Sequence, residues 1–300
     1  MSIKTEPPAE STGHTGIYYV AKGAFWFSLG VLFIKTIGQD LPVVEIALGR
    51  SAFGLIFVYY MARRAGAVKP RGGHSLLILR GLLGFIPLLA GFYAFTKLPL
   101  ADAVVLFNTN PIWAALLSFI ILKERLGYAG AACVAVSLVG VVLVARPPFI
   151  FGGVEHLDPL GAASALGAAF FAGLIFTLIR KISRTEHPLT IVLYFYLVAA
   201  PLALVLSIPV WVTPSPWQWL LLIGIGFFTQ AGQLNMTKGL ALVSAGKAAA
   251  GHTMQIVFAA IWGAIFFSEV PTWLSLAGAL IIIASTVVLG SLKERPAARV

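Results

Sequence analysis

The sequence predicts an all-α membrane protein, with ten transmembrane helices in a 5+5 inverted-topology repeat and both termini in the cytoplasm. Three observations predict it. Of 300 residues, 59% are hydrophobic and 11% charged, whereas a soluble domain carries about 25% charged residues. Apolar runs of about twenty residues recur along the whole chain, the length that crosses about 30 Å of hydrocarbon. Finally, Arg80–Ala145 repeats as Ile225–Gly290 without a gap: Gly81 falls on Gly226, Ala103 on Ala248, Glu124 on Glu269 and Ala132 on Ala277. Upstream, Lys35 falls on Lys181 and Pro42 on Pro188, one residue out of that register.

The elements follow in order. A polar tail over 1–16, with Pro7, Pro8, Gly13 and Gly16, lacks the apolar core of a cleaved signal peptide. Five spans follow at 17–37, 42–62, 75–96, 100–122 and 127–145, forming a first unit over 17–145. Short loops rich in Pro, Gly and charge separate them, at Gln39–Pro42, Arg63–Gly73, Leu98–Leu100 and Lys123–Gly127. The longest irregular stretch, 146–158, links this unit to a second over 159–291. That unit holds spans at 159–179, 188–211, 216–237, 243–267 and 272–291, and 292–300 is a tail. Small residues four apart, Gly161, Ala165, Ala169 and Gly173, make a stripe along which helices approach closely in lipid.

Lysine and arginine placement sets the orientation. With the N-terminus inside, Arg63, Arg64, Lys69, Arg71, Lys123, Arg125, Arg180, Lys181 and Arg184 fall in inner loops, whereas outer loops hold Lys35, Lys97 and Arg146. Each half has an odd number of spans, so the second half enters the membrane upside down. The cationic loop Arg63–Gly73 accordingly has an uncharged counterpart, Pro209–Trp217. Such a repeat has a pseudo-twofold axis in the membrane plane and a site where the halves meet. The net charge of +10 reflects these loops and points to anionic lipid rather than nucleic acid. The lone cysteine, Cys133, excludes an internal disulfide.

Polar groups at membrane depth are costly, so each is a site candidate. Arg50 lies roughly 12 Å into the second span. Its guanidinium suits a substrate carboxylate or phosphate, or a bridge to Glu45, Asp102 or a carbonyl. Asn108 and Asn110 sit at similar depth in the fourth span, and their repeat counterparts Thr253 and Gln255 follow His252 in the ninth. Asn110 and Gln255 either face each other across a polar cavity or act as interhelical glue. Gln230 and Gln233, three apart, share a helical face. Trp26, Tyr93 and Trp113 either line an aromatic pocket or serve as packing and interface anchors. Lys22, Arg80, Lys238 and Lys247 lie nearer the inner face, where long cationic chains snorkel to headgroups and make a positive vestibule. His252 is a proton-coupling candidate or a hydrogen-bonded structural residue. Asp102 suits the positive end of its helix.

The run Ala94–Leu126, AFTKLPLADAVVLFNTNPIWAALLSFIILKERL, resembles EamA-type members of the drug/metabolite transporter superfamily. The resembling features are an Ala-rich helix entry, Pro111 within the helix and a closing Leu122–Leu126 element. The second copy, Gly239–Pro271, keeps Ala248, Ala249 and Glu269 but has Ile256 in place of the proline. Arg50 fits the same pattern. The wording around Phe92–Leu126 and Arg146–Gly152 is similar to a eukaryotic organic-anion branch of the superfamily. The resemblance implies ten helices, a central cavity and movement of small metabolites.

The expected function is secondary transport, as exporter or exchanger, of a small polar organic metabolite. An anionic or zwitterionic substrate is expected, such as an organic acid or an amino-acid-like compound, moved by alternating access. The alternatives are a channel or an intramembrane lipid- or acyl-modifying enzyme. The sequence has no P-loop, no His-Glu-x-x-His and no paired intramembrane aspartate. No catalytic residue, metal or cofactor is therefore expected. The expected partners are the substrate, the bilayer and a proton or counter-substrate, with no nucleic acid, in a monomer or homodimer. The expected place is a bacterial inner (plasma) membrane.

Overall fold

The computed structural model describes residues 10–121, 127–146, 148–151, 157–182, 185–240, 252 and 254–291. Among these residues the chain is helical, joined by short turns and loops, with no strand. The first half holds α1 (Glu10–Ile37), α2 (Val43–Arg64), α3 (Ser75–Lys97), α4 (Leu100–Phe107), α5 (Asn110–Ile121) and α6 (Gly127–Ala145). A single turn, α7 (Pro148–Phe151), precedes the second half. That half holds α8 (Pro159–Ile182), α9 (Pro188–Ser207), α10 (Pro216–Leu240), α11 (Met254–Phe267) and α12 (Trp273–Ser291). Five segments are long and apolar enough to cross a membrane: Tyr18–Ile37, Val43–Arg64, Ser75–Lys97, Tyr128–Ala145 and Pro188–Val210. Pro159–Ile175, Met254–Phe267 and Trp273–Val288 are shorter apolar helices. The first helix starts at Glu10, earlier than the expected 17, and a 3₁₀ turn at Ile208–Val210 ends the seventh span. Residues 243–251 and 253 of the expected ninth span lie outside the described residues.

The expected fourth span is not one helix. It breaks between α4 and α5 at Asn108–Thr109, and Pro111 is the reason. Proline has no N–H to give the carbonyl four residues back, and its ring crowds that carbonyl. The carbonyl in question, Phe107 O, accepts instead from the Asn110 side-chain amide at 2.9 Å. Asn108 Nδ2 donates to Val104 O at 2.7 Å, and the Thr109 hydroxyl donates to Leu106 O at 2.7 Å. The Asn110 side chain thus supplies the donor that the proline removes, while Val104 O and Leu106 O also accept from the backbone N–H of Asn108 and of Thr109. In hydrocarbon an unbonded backbone carbonyl is too costly to leave.

The helices pack in pairs that exchange the halves. α1 packs on α10 and α3 on α8; α5 packs on α8 and α1 on α11; α3 packs on α9 and α2 on α10. The pairs α2 with α9, α4 with α11 and α6 with α12 join equivalent elements. The largest contacts between the halves therefore come in exchanged pairs, whereas α1 with α3 and α2 with α3 also touch within the first half. The α6–α12 contact is backbone to backbone: a Cβ on Gly278 would lie 2.6 Å from Gly140 O. The small-residue stripe of α8 packs as expected, with Gly161 against Leu98, Ala165 and Ala169 fully buried, and Gly173 against Trp113 and the Asn110 carbonyl.

Each half also grips a loop of the other. The Glu186 carboxylate accepts from the backbone N–H of Arg71 and of Gly72, and the Thr190 hydroxyl donates to Ala67 O at 2.7 Å. At the opposite loop, Glu45 accepts from Val212 N at 2.6 Å, and the Gln218 amide donates to Asp40. Asp40 and Glu186 occupy equivalent positions of the repeat. Large apolar side chains such as Ile56, Leu79, Val139, Leu204 and Leu280 are exposed along the spans. That exterior suits a hydrocarbon solvent rather than water.

Candidate functional site

Four helices of the bundle, α2, α3, α9 and α10, bring a polar cluster together within the spans. Arg50 of α2 donates from Nε to the Thr229 hydroxyl of α10 at 3.4 Å, and its guanidinium lies 5.6 Å from the centre of the Phe92 ring. Arg80 of α3 lies over Phe195 of α9 at 4.6 Å. Its Nε and Nη1 are buried and have no hydrogen-bond partner among the described residues. Next to Phe195, the Tyr196 hydroxyl accepts from Gln230 Nε2 of α10 at 2.9 Å. Gly54 of α2 makes room for Tyr196, since a Cβ there would run into the phenol ring. Thr229 is held by its own helix, donating to Ile225 O at 2.7 Å.

Two guanidinium groups therefore sit in spanning helices against aromatic rings, within electrostatic range of each other. A ring face contributes about 0.5–2 kcal/mol to a cation, while taking an ion out of water costs several kcal/mol. The rings alone do not offset that burial. No carboxylate does so among the described side chains. Asp40 and Glu45 bind Gln218 and Val212, Asp158 caps Gly161 N, and Glu186 holds the Arg71–Gly72 backbone. Asp102 pairs with Arg146, and Glu269 with Lys35. The expected bridge from Arg50 to Glu45 or Asp102 is not made, because both carboxylates serve other helices.

The last two pairs form a second centre, at one end of the bundle. Arg146 Nη2 donates to Asp102 at 3.0 Å and Nη1 to the Thr272 hydroxyl at 3.0 Å, and Arg146 and Asp102 are each 3% exposed. Arg146 ends α6 in the left-handed conformation (φ 44°), which is uncommon for a side-chain-bearing residue. Lys35 donates to Glu269 and to Leu98 O, while the other Glu269 oxygen accepts from Leu100 N at 2.7 Å. Glu269 therefore caps the start of α4, the role expected of Asp102. A cavity of about 550 Å³ lies beside these pairs, lined by Lys97, Asp102, Arg146, Asp158, Glu269 and neighbours. Both ion pairs join the first half of the chain to the second or its linker.

The remaining candidates are dispersed. Asn108 and Asn110 are buried, with their amide hydrogens bonded to their own helix break. Gln255 is buried in the first turn of α11, and His252 just before it is half-buried. Gln230 is buried but Gln233 is exposed, so the two do not share one environment. Trp26 stacks on Phe228 at 5.6 Å, Trp113 meets Phe170 edge-on at 5.6 Å, and Tyr93 bonds Thr96 through its carbonyl. No ring contact among the described residues joins the three into one pocket. Trp113 Nε1 is buried without a partner.

Lys22 is exposed beside Tyr18. Arg80, expected to snorkel to the inner surface, instead turns into the bundle, because the Phe195 face offers its cation an attractive neighbour there. The Lys238 side chain and Lys247 lie outside the described residues. Sequence reasoning missed Tyr196 and Thr229. Tyr196 was recoverable, because it is the repeat counterpart of Arg50 at the same offset that puts Pro42 on Pro188.

A duplicated helical bundle with an apolar exterior and a buried cationic centre is the architecture of a membrane transporter. The model of the EamA-like transporter family matches residues 14–146 and again 159–291, and the chain belongs to that family. It is 36% identical to human solute carrier family 35 member G1, over 95% of this chain and 82% of that protein. It is 32% identical to the pseudopaline exporter CntI of Pseudomonas aeruginosa, over 93% and 97% of the two chains. The riboflavin transporter of Vibrio cholerae is 26% identical over 89% and 92%. A crystal structure with 19% identity superposes at a TM-score of 0.61, covering 96% of this chain and 98% of that one, and shares the fold. The protein is thus a multi-pass integral protein of the inner membrane that transports small molecules, and it is not an enzyme.

Proposed function

We propose that the protein is a secondary transporter, working as exporter or exchanger, for a small organic metabolite that is anionic or zwitterionic. The observation that carries this is the Arg50–Arg80 pair, two cations in spanning helices with no carboxylate beside them among the described residues. An intramembrane ion in such a setting marks a substrate pathway. The named relatives carry chemically different cargoes, pseudopaline in one and riboflavin in another. Family membership therefore leaves the substrate open, and the charge of this site narrows it.

Transport proceeds by alternating access between a first unit (17–145) and a second (159–291) joined by 146–158, with tails at 1–16 and 292–300. The two units are inverted relative to each other, and both termini are cytoplasmic. The exchange of the larger helix pairs supports this, since α1 packs on α10 as α8 packs on α3, and α3 on α9 as α10 on α2. In that orientation Lys35–Glu269 and Asp102–Arg146 close the outer side. Asn110 and Gln255, on the two helices related by the repeat, line the path between. A counter-substrate or a proton moves in exchange.

Counterflow in proteoliposomes tests the reading. Vesicles preloaded with an unlabelled organic anion should accumulate the labelled anion saturably. Arg50→Gln should cut that rate by about thirtyfold or more, the effect of removing one member of a buried charge contact. Linear, non-saturable entry, or none that depends on the protein, would rule out a carrier for these solutes.

A further inference from the structure

The cationic cluster says more than that the substrate is negative. It contains two guanidinium groups on different helices, and each has its own aromatic neighbour, Phe92 for Arg50 and Phe195 for Arg80. Neutral hydroxyls and an amide accompany them: Thr229 on Arg50, and Tyr196, bonded to Gln230, next to Phe195 in sequence. These give hydrogen bonds but no charge. Like charges repel, and a single negative group placed at one of them leaves the other uncompensated. Arg80 Nε and Nη1 are buried donors still lacking an acceptor. The Tyr196 hydroxyl accepts from Gln230 and has its own hydrogen to donate to an acceptor.

We infer that the site is built for a small organic dianion with a carboxylate at each end, one held by Arg50 and the other by Arg80 with Tyr196. The inference rests on the carrier reading above and narrows its substrate. An amino-acid-like zwitterion fits less well, because its ammonium group would meet the second arginine. A monocarboxylate leaves one guanidinium bare, as in the unloaded protein. The flanking phenylalanines keep water away from both ends and strengthen each ionic contact.

Binding separates these cases. The purified full-length protein is heated with straight-chain dicarboxylates from malonate to adipate, and in parallel with their monomethyl esters, at neutral pH and fixed ionic strength. A bound solute raises the unfolding temperature by mass action. The expected result is stabilisation by at least one diacid at concentrations about thirtyfold below those its monoester requires. The most effective chain length then reports the separation of the two cations. Arg80→Gln and Arg50→Gln should each abolish the preference for diacid over ester. Arg80→Lys should keep it with weaker binding, and Lys69→Gln, a loop substitution of the same charge change, should leave it untouched. If a Gln variant fails to fold, Arg80→Lys and the wild-type series decide the question.

Equal stabilisation by diacids and monoesters, or by neither, overturns the two-carboxylate site, as does an undiminished preference in Arg80→Gln. The carrier reading fails separately. Saturable counterflow of a monoanion or zwitterion would leave that reading standing while the dianion site falls. Diacid binding without any counterflow would leave a dianion site in a protein that does not carry its ligand.

Discussion

At the residue scale, burial decides which polar groups matter. Tyr196 is 3% exposed and gives the buried Gln230 amide its acceptor. Tyr196→Phe keeps the ring but strands that amide, so unfolding free energy should fall by about 1–3 kcal/mol. An unchanged melting temperature would show that Gln230 finds another acceptor. Asn110 is different, because its amide serves the backbone at Phe107. Asn110→Ala should lower stability by a similar amount, about 1–3 kcal/mol, and impair counterflow as well. Gln255→Ala should impair flux more than it lowers expression. If both variants carry substrate normally, the path does not run between these two positions.

At the element scale, the break between α4 and α5 is the feature most open to test. Its cause is one residue, Pro111, and the Asn110 side-chain amide takes the place of the missing N–H at the Phe107 carbonyl. Pro111→Ala restores an N–H that can bond the Phe107 carbonyl and removes the ring that crowds it. We expect melting to rise by the equivalent of about 1–3 kcal/mol, the scale of an interior proline's cost, and transport to slow as the two half-helices fuse. Faster or unchanged flux would show that the break takes no part in movement. Packing elements give a contrasting expectation. Gly140→Leu forces apart a contact in which Gly278 meets the Gly140 carbonyl. It should destabilise by about 1–3 kcal/mol or more, with loss of folded protein rather than a change of substrate preference.

At the scale of the whole molecule, Lys35–Glu269 joins the two halves at one end and is the contact that the proposed alternating access would have to break. Lys35–Glu269 ties α1 to the end of α11, and Arg146–Asp102 ties the end of α6 to α4. Glu269→Gln leaves the buried Lys35 without its counter-charge, a loss of about 3–5 kcal/mol for the closed end. Ala101 lines the cavity there and is buried. In a Cys133→Ala background, Ala101→Cys should react with an impermeant maleimide faster when Glu269→Gln is also present. Equal labelling rates would mean that the pair does not hold this end shut. The reagent added from one side of oriented vesicles also reports which face the end occupies, and outer-face labelling is expected.

The sequence by itself determined the parts that depend on composition and periodicity. Apolar runs, the internal duplication and the small-residue stripe of α8 were legible, because span length, repeat register and small-residue spacing are linear properties. The placement of Arg50, Gln230 and Asn110 at depth was legible for the same reason. Only the tertiary structure decided which of these groups meet. It turned Arg80 inward onto Phe195, brought Tyr196 and Thr229 beside the two cations, and gave Asp102 to Arg146 rather than to its own helix end. It also dispersed Trp26, Tyr93 and Trp113 instead of gathering them. The physical reason is that charges in a low-dielectric bundle choose partners across helices by distance and desolvation. Residues far apart in sequence compete for the same carboxylate, and only packed helices settle that competition.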